Sequence, residues 1–425
     1  MNSAFTILVV GGIVFLSHWF HGIFEKKGIP DVLLLMLVGL LFGPILGVIH
    51  ADDFGIAGPM FTSITLVVIL FEGGLGLNLN ELKSSIRGST SLTLINFFAT
   101  FIIVGVISYF LLGLDLLVAL TLGAILGGTS SAVVIPMVRL LKIREESRTI
   151  LVLESAVSDV LCIVFALALI EATKSGNLQV GLIVGKILSS FTFAAIIGIA
   201  GAIVWSILLN RIRTIQNSIF TTPAFVFVVY GVAEILGYSG AISALLFGIT
   251  LVNIKQFNFS FLKKYVSSEP IALNDTERVF FSEIVFLLKT FFFVYIGLSI
   301  RLDSFTALLF GLVLAIAMFV LRIPVVRFSI KSQLPIFDKT VMAAMVPKGL
   351  AAAVLAGIPM QQGIVGGELV RNVTYAVVLI SIVFTSVLIP LFSYNERFGA
   401  VYGWLLRFRL ISVKNKPHKV DDTVH

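Results

Sequence analysis

Cysteine occurs once in these 425 residues, as Cys162. A lone thiol forms no intramolecular disulfide, and a metal site built on cysteines is excluded with it. Charge is scarce as well: Asp, Glu, Lys and Arg make up 12% of the chain, against 58% hydrophobic residues. Average proteins carry about 25% charged residues, so this is not the composition of a water-soluble globule. There is no HExxH, no P-loop and no GxGxxG in a βαβ setting. Gly237-Tyr238-Ser239-Gly240 lacks nucleophile-elbow spacing and an evident His/Asp pair, which removes serine hydrolysis. The chain reads as a non-enzyme needing no cofactor, and without a sizeable cytosolic domain it has no place for a nucleotide or ligand sensor.

What remains is hydrocarbon-compatible sequence. Mean hydropathy is +1.07, and the 37 Phe and 36 Gly suit lipid-facing surface and close helix contacts. The net charge of +7 points to loops beside anionic lipid, not to nucleic acid. Apolar runs of spanning length fall near residues 4–24, 30–50, 57–77, 89–113, 116–138, 148–172, 180–209, 219–236, 239–254, 284–300, 304–328, 339–357 and 367–393. The expectation is an all-α polytopic membrane protein of about thirteen spans: one transmembrane domain over residues 1–400 and a basic cytoplasmic tail over 401–425. The first run is too long for a signal-peptide core and no small-residue cleavage site follows it, so it reads as a retained span.

Loop charge orients the chain. Lys26/Lys27, Lys83/Arg87, Arg139 to Arg148, Arg211/Arg213, Lys255 to Arg278, Arg322/Arg327/Lys331 and the tail fall on one side, roughly five-sixths of the 30 Lys and Arg. By the positive-inside rule the N-terminus is outside and the C-terminus cytoplasmic, in an inner membrane. An amphipathic piece around Asn274–Phe281 is expected to lie along the inner surface.

Two spans are interrupted. One holds Gly127-Gly128-Thr129-Ser130-Ser131 and then Pro136; the other holds Pro347-Lys348-Gly349. Glycine pairs and proline free backbone groups, which membrane depth tolerates only where protein or a wet cavity satisfies them. The breaks lie seven spans apart, so the two segments run in opposite directions, as an inverted repeat requires. Between them comes Glu154-Ser155-Ala156-Val157-Ser158-Asp159, two carboxylates and two hydroxyls inside an apolar run. At 3.6 residues per turn Ser155 and Asp159 share one face, and Glu154 and Ser158 the adjacent one. Glu154 is the expected counter-charge of Lys348. Asp159 is left without a basic partner, so either a proton or a cation can neutralise it, the minimal chemistry of an antiporter. Ser158 could bond to Glu154 or to the broken span; both remain open here. Glu234 and Lys289 read as snorkelling or helix-end charges.

Four stretches resemble the monovalent cation:proton antiporter superfamily, NhaP-type branch: Leu70-Phe71-Glu72-Gly73-Gly74-Leu75, Glu154 to Asp159, Ala233 to Gly240, and Phe291-Phe292-Phe293-Val294-Tyr295-Ile296-Gly297. The resemblance implies a homodimer with a scaffold half and a core half, the core taking the spans near 57–77, 89–113, 116–138, 148–172, 284–300, 304–328, 339–357 and 367–393. It implies Asp159 as the ion- and proton-binding aspartate, with Ser155, the Thr129 carbonyl and Glu72 as further oxygen ligands, and Glu154–Lys348 as the core ion pair. Ser130, Ser158, Gly128, Pro347 and Gly349 support the site. A hard cation such as Na+ suits such an all-oxygen shell. Three residues depart from the family pattern: Ser158 for Asn, Ser130 for Asp, and Lys348 for Arg. The expected function is Na+ (or Li+) exchange for H+ by alternating access, electroneutral and 1:1, serving pH homeostasis, with membrane lipid as surroundings. K+/H+ exchange on the same fold, a Na+-coupled organic-anion symporter and a channel are the alternatives.

Overall fold

A computed structural model describes residues 3–54, 57–76, 79–175, 180–212, 218–254, 274–330 and 333–394. The basic tail over 401–425 lies outside the described residues. The rest is nearly all helix: α1 Ser3–Lys27, α2 Asp31–Leu40, α3 Ala57–Leu75, α4 Leu79–Leu111, α5 Leu116–Ile125, α6 Ser131–Leu140, α7 Glu145–Ser175, α8 Val180–Ile212, α9 Thr221–Ile235, α10 Gly240–Val252, α11 Asp275–Ser299, α12 Phe305–Ser329, α13 Ile336–Ala344, α14 Leu350–Gln361 and α15 Gly367–Tyr394. Among the described residues, seven of these are long and apolar enough to cross a membrane singly. Shorter apolar helices include α5, α6 and α14, pieces of the two interrupted runs.

The helices pack as two sets. In one, α4 lies on α5 and α7, and α12 on α4 and α15, enclosing α6, α13 and α14. In the other, α2 lies on α11, and α3 and α8 on α10, with α1 and α9 outside. The runs near 57–77 and 284–300, expected in the core half, thus become α3 and α11 of the second set. Glycine is the physical reason. A Cβ on Gly39 would run into the Val294 carbonyl and one on Gly297 into that of Met36, so α2 and α11 touch backbone to backbone. Gly74 and Gly248 do the same for α3 and α10, each against a carbonyl of the other helix, at Leu245 and Phe71. Small residues permit such approach, and with it van der Waals contact that lipid does not supply. The offset of seven spans carries α2 onto α10 and α3 onto α11, so the two seams exchange under it. An inverted internal repeat produces this pattern.

Several polar expectations change. The piece around Asn274–Phe281 is not a separate surface helix but the first turns of α11. It starts on a capping box in which the Glu277 N–H donates to Asn274 Oδ1 (2.8 Å) and the Asn274 N–H to Glu277 Oε2 (2.7 Å). Lys289 is neither a snorkelling nor a helix-end charge: its Nζ lies 3.4 Å from Asp31 Oδ2, both side chains mostly buried. Glu234 accepts from the Gly240 N–H (2.8 Å), tying the end of α9 to the start of α10.

Candidate functional site

The interrupted runs cross at their breaks. The Ser130 N–H donates to the Pro347 carbonyl (2.7 Å), joining the extended segment between α5 and α6 to that between α13 and α14. A Cβ on Gly349 would overlap the Ser130 hydroxyl, so the crossing closes only around glycine there. Gly128 is likewise pressed on Cys162 and the Ser158 backbone of α7.

Four half-helices ending inside the fold leave unpaired carbonyls and N–H groups, with partial charge to match. Two buried cations answer the carbonyls. Lys348, 1% exposed, donates from Nζ to the Gly128 carbonyl just past the end of α5 (2.7 Å). Arg322, fully buried, donates from Nε to the Met342 carbonyl in the last turn of α13 (3.0 Å). The Lys348 N–H is taken by Ser381 Oγ of α15 (2.9 Å).

Arg322 is also the partner of Glu154. Its Nη1 reaches Oε1 and its Nη2 reaches Oε2 at 2.6 Å, a two-pronged ion pair sealed from solvent. The expected pairing of Glu154 with Lys348 is therefore corrected: Glu154 pairs with Arg322, and Lys348 holds a carbonyl. A planar guanidinium can give two parallel bonds to a carboxylate and a third to a carbonyl, whereas an ammonium is a point charge. Arg322, one of the charges that orient the chain, is no loop residue. The sign of its role was its place seven residues before the last residue of α12, about 10 Å from the helix end.

Asp159 stands apart from these cations. It is half-buried, while Glu154, Ser155 and Ser158 on the same helix are fully buried. Among the described residues its carboxylate has no ion-pair partner. It is held by Ser131, the first residue of α6, whose hydroxyl donates to Oδ2 (2.8 Å). A helix N-terminus presents N–H groups and positive partial charge, which favours an anion in this place. Ser131 was legible only as one residue of the broken stretch, without a role.

The other expected ligands are distributed unevenly. Ser155 Oγ donates to the Val152 carbonyl of its own helix (2.9 Å). Ser158 takes the broken-span option: its Oγ accepts the Thr129 N–H (3.1 Å) and donates to the Ser155 carbonyl (3.1 Å). Thr129 and Ser130 are both 2% exposed, and the Ser130 hydroxyl has no hydrogen-bond partner. Glu72 sits on α3 in the other helix set. Helix α7 thus carries a half-buried carboxylate held by one hydroxyl beside broken backbone, and a fully buried ion pair at Glu154.

Comparison with known proteins agrees with this arrangement. The family described as sodium/hydrogen exchanger, transmembrane, matches residues 11–393. The Na(+)/H(+) antiporter 1 of Methanocaldococcus jannaschii is 29% identical over 394 residues, 86% of this chain and 83% of the relative. The K(+)/H(+) antiporter NhaP2 of Shewanella sp. strain ANA-3 is 25% identical over 375 residues, 84% of this chain. The match takes in only 61% of that relative's length. The solved sodium proton antiporter MjNhaP1 from Methanocaldococcus jannaschii at pH 8 superposes with a TM-score of 0.69 at 23% identity, covering 91% of this chain and 100% of that one. At that identity the likeness is one of fold.

Proposed function

Because the chain belongs to the transmembrane sodium/hydrogen exchanger family, we propose that it exchanges Na+ (or Li+) for H+ across the cytoplasmic membrane. The observation that carries this reading is Asp159, half-buried at a helix crossing and held by Ser131 instead of a cation. One carboxylate can hold one proton or one monovalent cation: the protonated acid takes up Na+ as it releases H+, and the reverse step restores it. Both cannot be bound at full strength, so transport of one requires release of the other. The set containing the crossing moves against the set built on the glycine seams, exposing Asp159 alternately to the two sides. The second set is the proposed dimer scaffold, with lipid around it, the N-terminus outside and the C-terminus in the cytoplasm.

Arginine effectively never deprotonates, so Glu154–Arg322 keeps its charge through the cycle. Lys348, anchored on the Gly128 carbonyl, is assigned a fixed charge as well. Only Asp159 then changes occupancy, and exchange is electroneutral at 1:1. The names of the NhaP2 relatives favour a second reading, K+/H+ exchange by the same steps. Purified protein in proteoliposomes with a preset pH gradient decides between them. Na+ and Li+ alone, without organic solute, are expected to dissipate the gradient, K+ at equal concentration far less, with no acceleration by an imposed membrane potential. Equal or faster dissipation by K+ establishes the second reading, a rate that follows the potential overturns the stoichiometry, and no dissipation by any of the three overturns the exchange function.

A further inference from the structure

We propose that Ser131 is a ligand of the transported cation, its hydroxyl oxygen joining the Asp159 carboxylate in the coordination shell. The assignment rests on the exchange function proposed above. Ser155, the Thr129 carbonyl and Glu72, the set implied by resemblance, does not include Ser131.

Position and access single it out. The hydroxyls of Ser155 and Ser158 are fully buried and already donate to carbonyls of their own helix. Ser131 is half-buried, like Asp159, so the two are less enclosed than the Ser155 and Ser158 hydroxyls. Its Oγ is 2.8 Å from Asp159 Oδ2. Two oxygens this far apart can share one cation at about 2.3–2.6 Å from each, the range of Ca2+, which is close to Na+ in size. Only the hydroxyl hydrogen need rotate away, because a serine oxygen carries two lone pairs as well as its proton.

The hydroxyl has no other task in this place. The N-cap of α6 is Ser130, so Ser131 is not needed to cap the helix, and its side chain is aimed across to α7. A cation here meets the positive end of α6, which opposes it. The cost is offset by oxygen ligands, and Ser131 supplies one where the helix itself presents only N–H groups. The buried, unpartnered Ser130 hydroxyl next to it is a further oxygen left open in the crossing.

Ser131→Ala separates a ligand from a structural hydroxyl. The residue still opens α6 after the change, so the positive end of that helix still faces Asp159. The Na+ concentration for half-maximal exchange in proteoliposomes is expected to rise about tenfold, the loss of one hydrogen-bond-sized contact to a charge, while the maximal rate is retained. Ser131→Thr, which keeps the hydroxyl, restores the wild-type value. In detergent, Ser131→Ala stays folded without Na+, with the small drop in melting temperature that one lost hydrogen bond gives, but loses most of the stabilisation that added Na+ gives by mass action. An unchanged half-saturating concentration in Ser131→Ala, or a Ser131→Thr that behaves like it, overturns the assignment. So does a loss of maximal rate and salt-free stability at unchanged Na+ affinity, which marks a purely structural hydroxyl. If wild-type protein moves no protons in response to Na+, Li+ or K+, the exchange function fails and the ligand assignment with it; if wild type is active and Ser131→Ala matches it, the ligand assignment alone fails.

Discussion

Asp159→Asn abolishes Na+-driven proton movement in proteoliposomes while leaving the protein folded: this is the largest expected effect. An amide has nearly the shape of the carboxylate and can still accept the Ser131 hydroxyl, so the contact between α6 and α7 is kept. What it lacks is charge. It neither binds a proton at ordinary pH nor compensates a cation brought out of water. Withdrawing a charge partner in such surroundings costs about 3 kcal/mol or more, a factor of on the order of 100 in ion affinity. Fluorescence dequenching after Na+ pulses measures the loss. Because Asp159 is half-buried and holds no ion pair, the salt-free melting temperature in detergent should stay near that of wild type. A collapse in stability that accompanied the loss of transport would instead make Asp159 a structural residue.

The second large effect falls on stability. Glu154 and Arg322 are both fully buried, and each is the charge partner of the other. Glu154→Gln leaves a guanidinium, and Arg322→Met a carboxylate, with no counter-charge in a site that excludes water. Breaking such a pair from one side costs about 3–5 kcal/mol. Arg322→Met additionally frees the Met342 carbonyl at the end of α13. Thermal unfolding in detergent is expected to show both single variants strongly destabilised and the double variant better than the sum of the two, since it strands neither charge. Additive losses would mean that the two side chains do not act as a pair. Arg322→Lys is expected to remain defective, because an ammonium cannot make the two-pronged contact and the carbonyl bond together.

How far the sequence carries depends on what each feature needs in order to be read. The interrupted runs were legible because Gly127-Gly128 and Pro347-Lys348-Gly349 break helices by local chemistry alone, and the structure joins them through Ser130 and Pro347. Asp159 was legible because a carboxylate in an apolar run demands a reason. Which cation meets which carboxylate was not. Lys348 and Arg322 are both buried in the same helix set, and the choice between them turns on guanidinium geometry and on where α13 ends, neither of which leaves a trace in spacing. Membership of the helix sets was hidden for a related reason. Gly39, Gly74, Gly248 and Gly297 look like ordinary membrane glycines until their partners across the seams are known. Ser131 was visible as one hydroxyl among three, and only the turn into α6 aims it at Asp159.

Competition between Na+ and H+ for Asp159 can be measured without a membrane. Purified protein in weakly buffered detergent solution, at a pH where the site is protonated, is mixed with Na+ while a pH indicator and a Na+-binding readout are followed together. Wild type is expected to release one proton for each Na+ bound, and Asp159→Asn none. Na+ binding by wild type with no proton released would contradict exchange at a single carboxylate.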